Sequence, residues 1–332
     1  SFVSEAPRPQ AQRHRRLRIA AVCKPCLGYA QRNKAESSTL NELTTRSIDT
    51  NNTAGYETTY SSITYDAAGN LTDDQQTYEY TYDAWGRLRT IVTTDDQTPV
   101  AYYWYNGLNH RIRWQADWDS DGSVGTDRIF HFCHDTRWRI VATFRDSDTY
   151  PKERFVYHNS GLGGNGGSSY IDAVILRQSD NLAWTAQADD TLGIRQYYCQ
   201  NWRADISALV SDTGKMVEWV KYSSYGVPTA LPCGDTDSDG DWDATDSGAI
   251  TGGYEVRKDA ELDGDVDAND ITRANAITGS YQTLGRGLQS STAVANRKGY
   301  AGYEYDPVLE GAGRHLSHVR NRVYDADLGR WT

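Results

Sequence analysis

A short phrase recurs along the chain and restricts it to one kind of local structure. Tyr65-Asp66-Ala67-Ala68-Gly69-Asn70-Leu71 returns as Tyr82-Asp83-Ala84-Trp85-Gly86-Arg87-Leu88. In Tyr105-Asn106-Gly107-Leu108-Asn109 the glycine is replaced by Asn, the residue next best able to take a positive φ. Tyr222-Ser223-Ser224-Tyr225-Gly226 is a further variant. The mechanism is legible: Tyr ends a strand, the Asp or Asn side chain caps a turn, and Gly supplies the left-handed residue. The residues before the turn alternate, with Tyr78, Tyr80 and Tyr82 on one face and Glu79 and Thr81 on the other. Repetition of such a phrase predicts an extended array of hairpins, with turns near Ala67–Asn70 and Ala84–Arg87 and positive φ at Gly69 and Gly86. Composition agrees: 23 Tyr and 10 Trp against 1 Met and 5 Phe suit twisted strands better than helix bundles.

The Tyr-Asp phrases resemble those of the RHS (rearrangement hot spot) or YD-repeat proteins, a group that includes teneurins and the shells of insecticidal toxin complexes. Two longer blocks carry the likeness further. Tyr197 to Asp205, with Gly214 to Pro228, resembles the segment that precedes the family core. Gly302-Tyr303-Glu304-Tyr305-Asp306, followed by Arg320-Asn321-Arg322-Val323-Tyr324-Asp325-Ala326-Asp327-Leu328-Gly329-Arg330-Trp331, resembles the core's closing run. The resemblance covers about 56–232 and 299–332. It implies a long β-sheet strip that spirals into a hollow shell around a C-terminal cargo, often a toxin, in a secreted or surface-displayed protein. Relatives carry after the closing run an aspartate-containing motif at which the chain cleaves itself. Its residues do not occur in this sequence, so that activity does not transfer.

Between these blocks lies an acidic stretch with a pattern of its own. Asp235, Asp237, Asp239, Asp241, Asp243 and Asp246 fall in one twelve-residue loop, and Asp259, Glu261, Asp263, Asp265, Asp267 and Asp270 fall in a second of the same spelling. Each has oxygen side chains at loop positions 1, 3, 5, 9 and 12, glycine at 6 (Gly240, Gly264) and an apolar residue at 8. Position 7 need lend only its backbone carbonyl, so each loop matches the demands of calcium for six to eight oxygens. Cys233 to Asp270 holds thirteen acids against Arg257 and Lys258, a net of −11 that equals the charge of the whole chain. Carboxylates so crowded repel one another unless a cation sits among them. Ordinary solvated Asp-Gly turns are the alternative; two complete loops at a constant offset favour two calcium ions. A third stretch, Asp117-Trp118-Asp119-Ser120-Asp121-Gly122, begins similarly but reaches Arg128 at position 12, and is read as a turn.

The pair resembles the duplicated calcium repeat of type I dockerins over roughly Gly234 to Thr278. Glu261 at position 3 departs from the usual Asp or Asn. Three glycines in Ser247–Tyr254 stand where dockerins have a helix, so the first helix should be short or absent. Positions 10 and 11, Ala244-Thr245 and Ala268-Asn269, make a poor match to a cohesin-binding pair, so metal binding transfers and cohesin binding does not.

The remainder is bounded more simply. Arg8, Arg13, Arg15, Arg16, Arg18, Lys24, Arg32 and Lys34 face only Glu5 over the first 34 residues, and the segment 1–50 is read as a basic, disordered leader. No aromatic or fold signal accompanies it, so no nucleic-acid partner is expected. Cys23-Lys24-Pro25-Cys26 lacks a convincing second pair for zinc, since His131, Cys133 and His134 lie far along in strand-like sequence. Gly161-Leu162-Gly163-Gly164-Asn165-Gly166 spells a dinucleotide fingerprint but is followed by a β-rich run rather than a helix. No nucleophile–base pair is evident, and no run approaches a transmembrane helix. The expected class is therefore mainly β, an antiparallel YD-repeat hairpin sheet with a small calcium-loop and helix insertion. The boundaries are a leader at 1–50, sheet at 51–232, insertion at 233–280 and the end of the core repeat at 281–332. The expected work is structural and non-enzymatic, in an extracellular or cell-surface protein. The alternatives are a calcium-dependent protein- or glycan-binding module, and part of a self-cleaving toxin-delivery protein whose partner is a C-terminal cargo.

Overall fold

A computed structural model describes residues 32–37, 42–49, 58–117, 121–158, 173–182, 186–232, 234–236, 242–255, 258–260, 264–277, 290, 294–312 and 314–332. The chain begins with β1 (Arg32–Ser37), β2 (Leu43–Asp49) and β3 (Thr58–Ser61). There follow β4 (Thr64–Tyr65), β5 (Leu71–Asp73), β6 (Tyr78–Tyr82), β7 (Leu88–Thr93), β8 (Pro99–Tyr105), β9 (Arg111–Ala116) and β10 (Ile129–His134). Then come β11 (Ile140–Arg145), β12 (Glu153–Tyr157), β13 (Val174–Ser179), β14 (Ile194–Gln200), β15 (Ile206–Ser211), β16 (Met216–Tyr222) and β17 (Pro228–Pro232). Two helices follow, α1 (Ala244–Ala249) and α2 (Ala268–Ile277), and the chain closes with β18 (Glu304–Tyr305), β19 (Leu316–Val319), β20 (Arg322–Asp325) and β21 (Arg330–Trp331).

Among the described residues, β4 to β17 form one 14-stranded antiparallel sheet in strict chain order, flanked by a three-stranded sheet β1–β3 and a four-stranded sheet β18–β21. The expected hairpin array is present. Strands β1 and β2 correct the leader reading, because pairing begins at Arg32 inside the stretch 1–50. A basic composition concealed them: alternate outward positions tolerate charge in a strand. Residues 1–31, with the Cys23/Cys26 pair, and the glycine run 161–166 lie outside the described residues.

The Tyr-Asp phrase has a physical explanation. Asp83 N–H donates to the Arg87 carbonyl, Gly86 N–H donates to the Asp83 carbonyl, and Asp83 Oδ1 accepts from the backbone of Trp85 and Arg87. Asp66, Asn106, Asp135 and Asn201 repeat this arrangement. The fourth turn residue is left-handed each time, as at Gly69 (φ 85), Gly86 (φ 69) and Asn109 (φ 67). The register slips by a residue at Tyr65, Tyr82 and Tyr105, so each Tyr sits at a bulge that turns the chain into its hairpin.

One face of the large sheet is the core. Tyr80, Ile91 and Ala101 align across three strands, and Tyr103, Trp114 and Phe130 across the next, all buried. The C-terminal segment lies against this face: Leu309, Leu316 and Val323 belong to the same hydrophobic cluster. No described helix is long and apolar enough to cross a membrane, which says nothing of strands.

Candidate functional site

The acidic insertion packs on the opposite face of the sheet from the closing segment. Ala260 is buried against Met216, Ala208 and Trp219, and Arg273 Nε donates to the Met216 carbonyl at 3.2 Å. Gly234 is pressed between Trp242 and Ala274, where a Cβ would come within 2.8 Å of both. Helix α1 is only six residues long, with Gly248 in its last turn and Gly252-Gly253 just beyond its end.

The two loops fold alike where both are described. Asp246 accepts from Thr236 N–H at 2.7 Å and from Asp243 N–H at 3.0 Å. Asp270 likewise accepts from Ala260 N–H at 2.6 Å and Asp267 N–H at 2.7 Å. Position 12 therefore draws position 2 and position 9 together in both loops. The carboxylates at positions 1 and 12, Asp235 with Asp246 and Asp259 with Asp270, are all buried. Asp265, Asp267 and Asp270 bring ligand atoms within 4.8 Å of one another. Such an all-oxygen donor set fits a hard cation. Asp237, Asp239, Asp241, Glu261 and Asp263 lie outside the described residues.

The third acidic stretch behaves partly as the first two do. Asp117 Oδ2 accepts Gly122 N–H at 2.9 Å, as Asp259 Oδ2 accepts Gly264 N–H at 3.0 Å. Asp127, at position 11, joins Asp117 and Asp121 within 4.8 Å. A search confined to position 12 finds only Arg128 there.

A second constellation was not visible in the sequence. Beneath the closing segment, Glu153 is ion-paired with Arg177 and Arg297, and Glu304 with Arg111, Arg297 and Lys298, all buried. Burial opposes the charge on Glu304, but Lys298, Arg297 and Arg111 hold its carboxyl down at about 2. Asp306 accepts from the Tyr103 hydroxyl and lies 3.2 Å from His318 Nε2. Burial, with Arg111 adding to it, lowers His318 to about 4 despite Asp306. At the far end Arg314 bridges Asp74 of the sheet to Asp325 of β20. These pairs fix the closing segment to the sheet.

The segments that flank the acidic stretch meet. Tyr300 packs on Gly226, its ring 5.8 Å from that of Tyr222, and its hydroxyl is 3.4 Å from the Ser224 carbonyl. The expectation that Tyr222–Gly226 and Gly302–Asp306 share one sheet is corrected. Glu304 and Tyr305 pair with β19 in the four-stranded sheet, because the chain is already on the core face by Val294.

No family model matches the chain. It is 23% identical over 174 residues to the tRNA3(Ser)-specific nuclease WapA of Bacillus spizizenii, a match that covers 52% of this chain and 6% of that protein. Among solved structures it is similar to TcdB2-TccC3, with a TM-score of 0.47 and 12% identity, over 90% of this chain and 12% of that one. It is also similar to the Photorhabdus luminescens Tc holotoxin pore, with a TM-score of 0.30 and 10% identity, over 91% of this chain and 15% of that one. The chain thus spans a small part of each protein it is similar to.

Proposed function

We propose that the chain is a non-enzymatic wall segment of an RHS-type shell, secreted or displayed at a cell surface, whose acidic insertion is ordered by two calcium ions. The observation that carries this reading is the strictly sequential hairpin sheet whose core face is sealed by the chain's own closing segment. Such a strip grows by adding hairpins, five of them closed by the same Asp or Asn turn, and suits a wall. The nuclease activity in the name of the WapA relative belongs to that protein. A cargo or toxin domain elsewhere in a longer chain is the partner this reading implies. Within the wall the buried Glu153 and Glu304 serve packing: each pairs with guanidinium or ammonium groups that hold strands to the closing segment.

The calcium reading rests on the shared fold of the two loops and on their oxygen donors. Asp235, Asp243 and Asp246 in the first loop, and Asp259, Asp265, Asp267 and Asp270 in the second, would hold the ions. Calcium there would supply charge neutralisation and order, not chemistry. Intact-mass measurement on the purified chain over days tests the non-enzymatic part: one undiminished species is expected, and discrete cleavage products would overturn it.

A further inference from the structure

The closing run and two hairpin tips bring aromatic rings together at one corner of the molecule. The Tyr324 hydroxyl donates to the Tyr225 carbonyl at 2.9 Å, and the Tyr324 ring stacks on Tyr300 at 6.3 Å and meets Trp331 edge-on at 5.4 Å. A Cβ on Gly329 would come within 3.3 Å of three carbons of the Tyr225 ring, so the backbone there lies against that ring. The cluster is nevertheless open to water: Tyr225 is 62% exposed and Trp331 45%. Trp202, 75% exposed, stands on the tip between β14 and β15, and Tyr225 on the tip between β16 and β17. The two tips leave the same rim two strand spacings, about 9.6 Å, apart. Hairpin tips are ordinarily polar, because nothing in the fold requires an apolar residue there.

The charge around these rings has one sign. In 201–205, 222–226, 299–303 and 320–332 every acid, Asp205, Asp325 and Asp327, is buried. Arg320 and Arg322 are exposed, and Arg203 and Arg330 are half-buried. Arg203 lies 3.9 Å from Asp205 and over the ring of Tyr300. Arg322 shares a strand face with Tyr324, two residues on. A chain whose net charge is −11 thus presents a cationic border to its exposed rings.

We propose that this corner binds an acidic glycan, a chain of pyranose rings that carries carboxylate or sulfate groups. One face of a pyranose ring is a set of C–H groups that packs on an aromatic ring, and its rim of hydroxyl and acid groups is left for polar partners. Tyr and Trp supply contact area with few rotatable bonds, and rings already fixed lose little freedom on binding. Guanidinium groups hold carboxylate or sulfate by paired hydrogen bonds, and the exposed Ser223 and Ser224 beside Tyr225 offer hydroxyls. Tips two strand spacings apart match alternate sugars of an extended chain. A nucleic acid also stacks on aromatic rings, but it carries a phosphate at every nucleotide, and the less dense charge of a glycan suits a chain with an acidic excess better. The inference goes beyond the wall reading and needs only that this corner is reachable from solution.

Calorimetry on the full chain tests this with oligosaccharides of hyaluronan (carboxylate), heparin (sulfate) and dextran (neutral), and with oligothymidylate. All are measured in EDTA, so that calcium on the acidic loops takes no part. One or both acidic glycans should bind, and dextran and oligothymidylate should bind about tenfold more weakly or not at all. Tyr225→Ala and Trp331→Ala should each weaken binding about tenfold. Arg322→Gln should weaken it about threefold and reduce its dependence on salt. Trp85→Ala, an equally exposed ring on the same rim but outside the cluster, should leave it unchanged. Failure of both acidic glycans to bind, equal binding of dextran or oligothymidylate, or ring variants that bind normally would each overturn the assignment. A preference between hyaluronan and heparin supports it and names the acid group. Far-UV circular dichroism checks that the variants are folded, and if Trp331→Ala is not, Tyr225→Ala and Arg322→Gln, both at exposed side chains, carry the test.

Discussion

The closing segment and the acidic insertion both bury carboxylates, and they neutralise them by opposite means. Under the closing segment, Glu153 and Glu304 meet four cationic side chains, two of which come from strands of the sheet and two from the segment itself. In the insertion, Asp246 and Asp270 accept backbone N–H groups, and the stretch Cys233–Asp270 supplies two cations for thirteen acids. The first region carries its counter-charges in its sequence, so its stability is set by folding alone. On the proposed reading, the second takes them from solution. Under the calcium reading proposed above, a single chain contains one region whose integrity is independent of metal and one whose integrity depends on it.

Removing a counter-charge from the closing segment should give the largest effect. Arg297 is shared between Glu153 and Glu304, and burial of all three leaves no water to replace it. Arg297→Met is expected to destabilise the chain by about 3 kcal/mol or more, since a buried partner is left incompletely compensated. Urea unfolding followed by tryptophan fluorescence measures this. A loss below about 1 kcal/mol would place these pairs among weak surface bridges.

Removing the counter-charge from the insertion should be gentler and local. Calorimetry is expected to show two calcium ions bound at about 10⁻⁴ M or somewhat tighter, magnesium more weakly, and the first loop the stronger because Glu261 lengthens a ligand of the second. Saturation at a hundred times the dissociation constant adds about 2.7 kcal/mol. Chelation should remove hydrogen-exchange protection from 234–278 and spare the sheet, whose strands hold no ligands. Protection lost throughout β4 to β17 would abolish the distinction between the two regions.

Acid should weaken the closing segment. Burial and the nearby Arg111 lower His318, and burial with His110 and Arg111 lowers His134, each to about 4 from 6.5. The unfolded chain therefore takes up protons that the folded chain refuses, and stability is lost as the pH falls from 6.5 toward 4. Glu304 adds to the loss only below its ordinary 4.5, down to about 2. In calcium-free insertion, protonation would instead relieve repulsion. Urea midpoints at pH 7 and pH 5 for the chain and for His318→Asn check the sign: the variant should show a smaller fall, and an equal fall would acquit the imidazole.

The regions also differed in how much of them the sequence revealed. Hairpin turns were legible because Asp66, Asp83 and Asn106 precede a glycine or asparagine that takes the left-handed conformation. The same turns at Asp135 and Asn201 were not, since Trp138 (φ 69) and Ala204 (φ 65) occupy that position. The two acidic loops were legible through spacing alone, because their carboxylates are close in sequence. The ion pairs beneath the closing segment join residues such as Arg297 and Glu153, far apart in sequence, and no local pattern encodes them. Asp127 was passed over because it stands one place before position 12, although its carboxylate comes within 4.8 Å of those of Asp117 and Asp121.

The smallest expected effects come from the turns, and they test whether the sheet is built by local devices that act without metal. At Gly86 a Cβ has room, its nearest neighbour being the Asn70 side chain at 3.6 Å, so the cost of a substitution is conformational. Gly86→Val forces a β-branched residue to positive φ and should lose about 1–2 kcal/mol. Arg320 presents the reverse case. It is exposed, with φ 60, at the first central position of the two-residue turn between β19 and β20, where a type II′ hairpin favours glycine. Arg320→Gly relieves that strain but frees the unfolded chain, which gains about 0.4–1 kcal/mol of entropy in return. The net gain should be positive and below about 1 kcal/mol. Both shifts are read from urea midpoints, and both variants should bind calcium as the unchanged chain does. A turn substitution that altered calcium affinity would show the insertion and the hairpin sheet to be one cooperative unit.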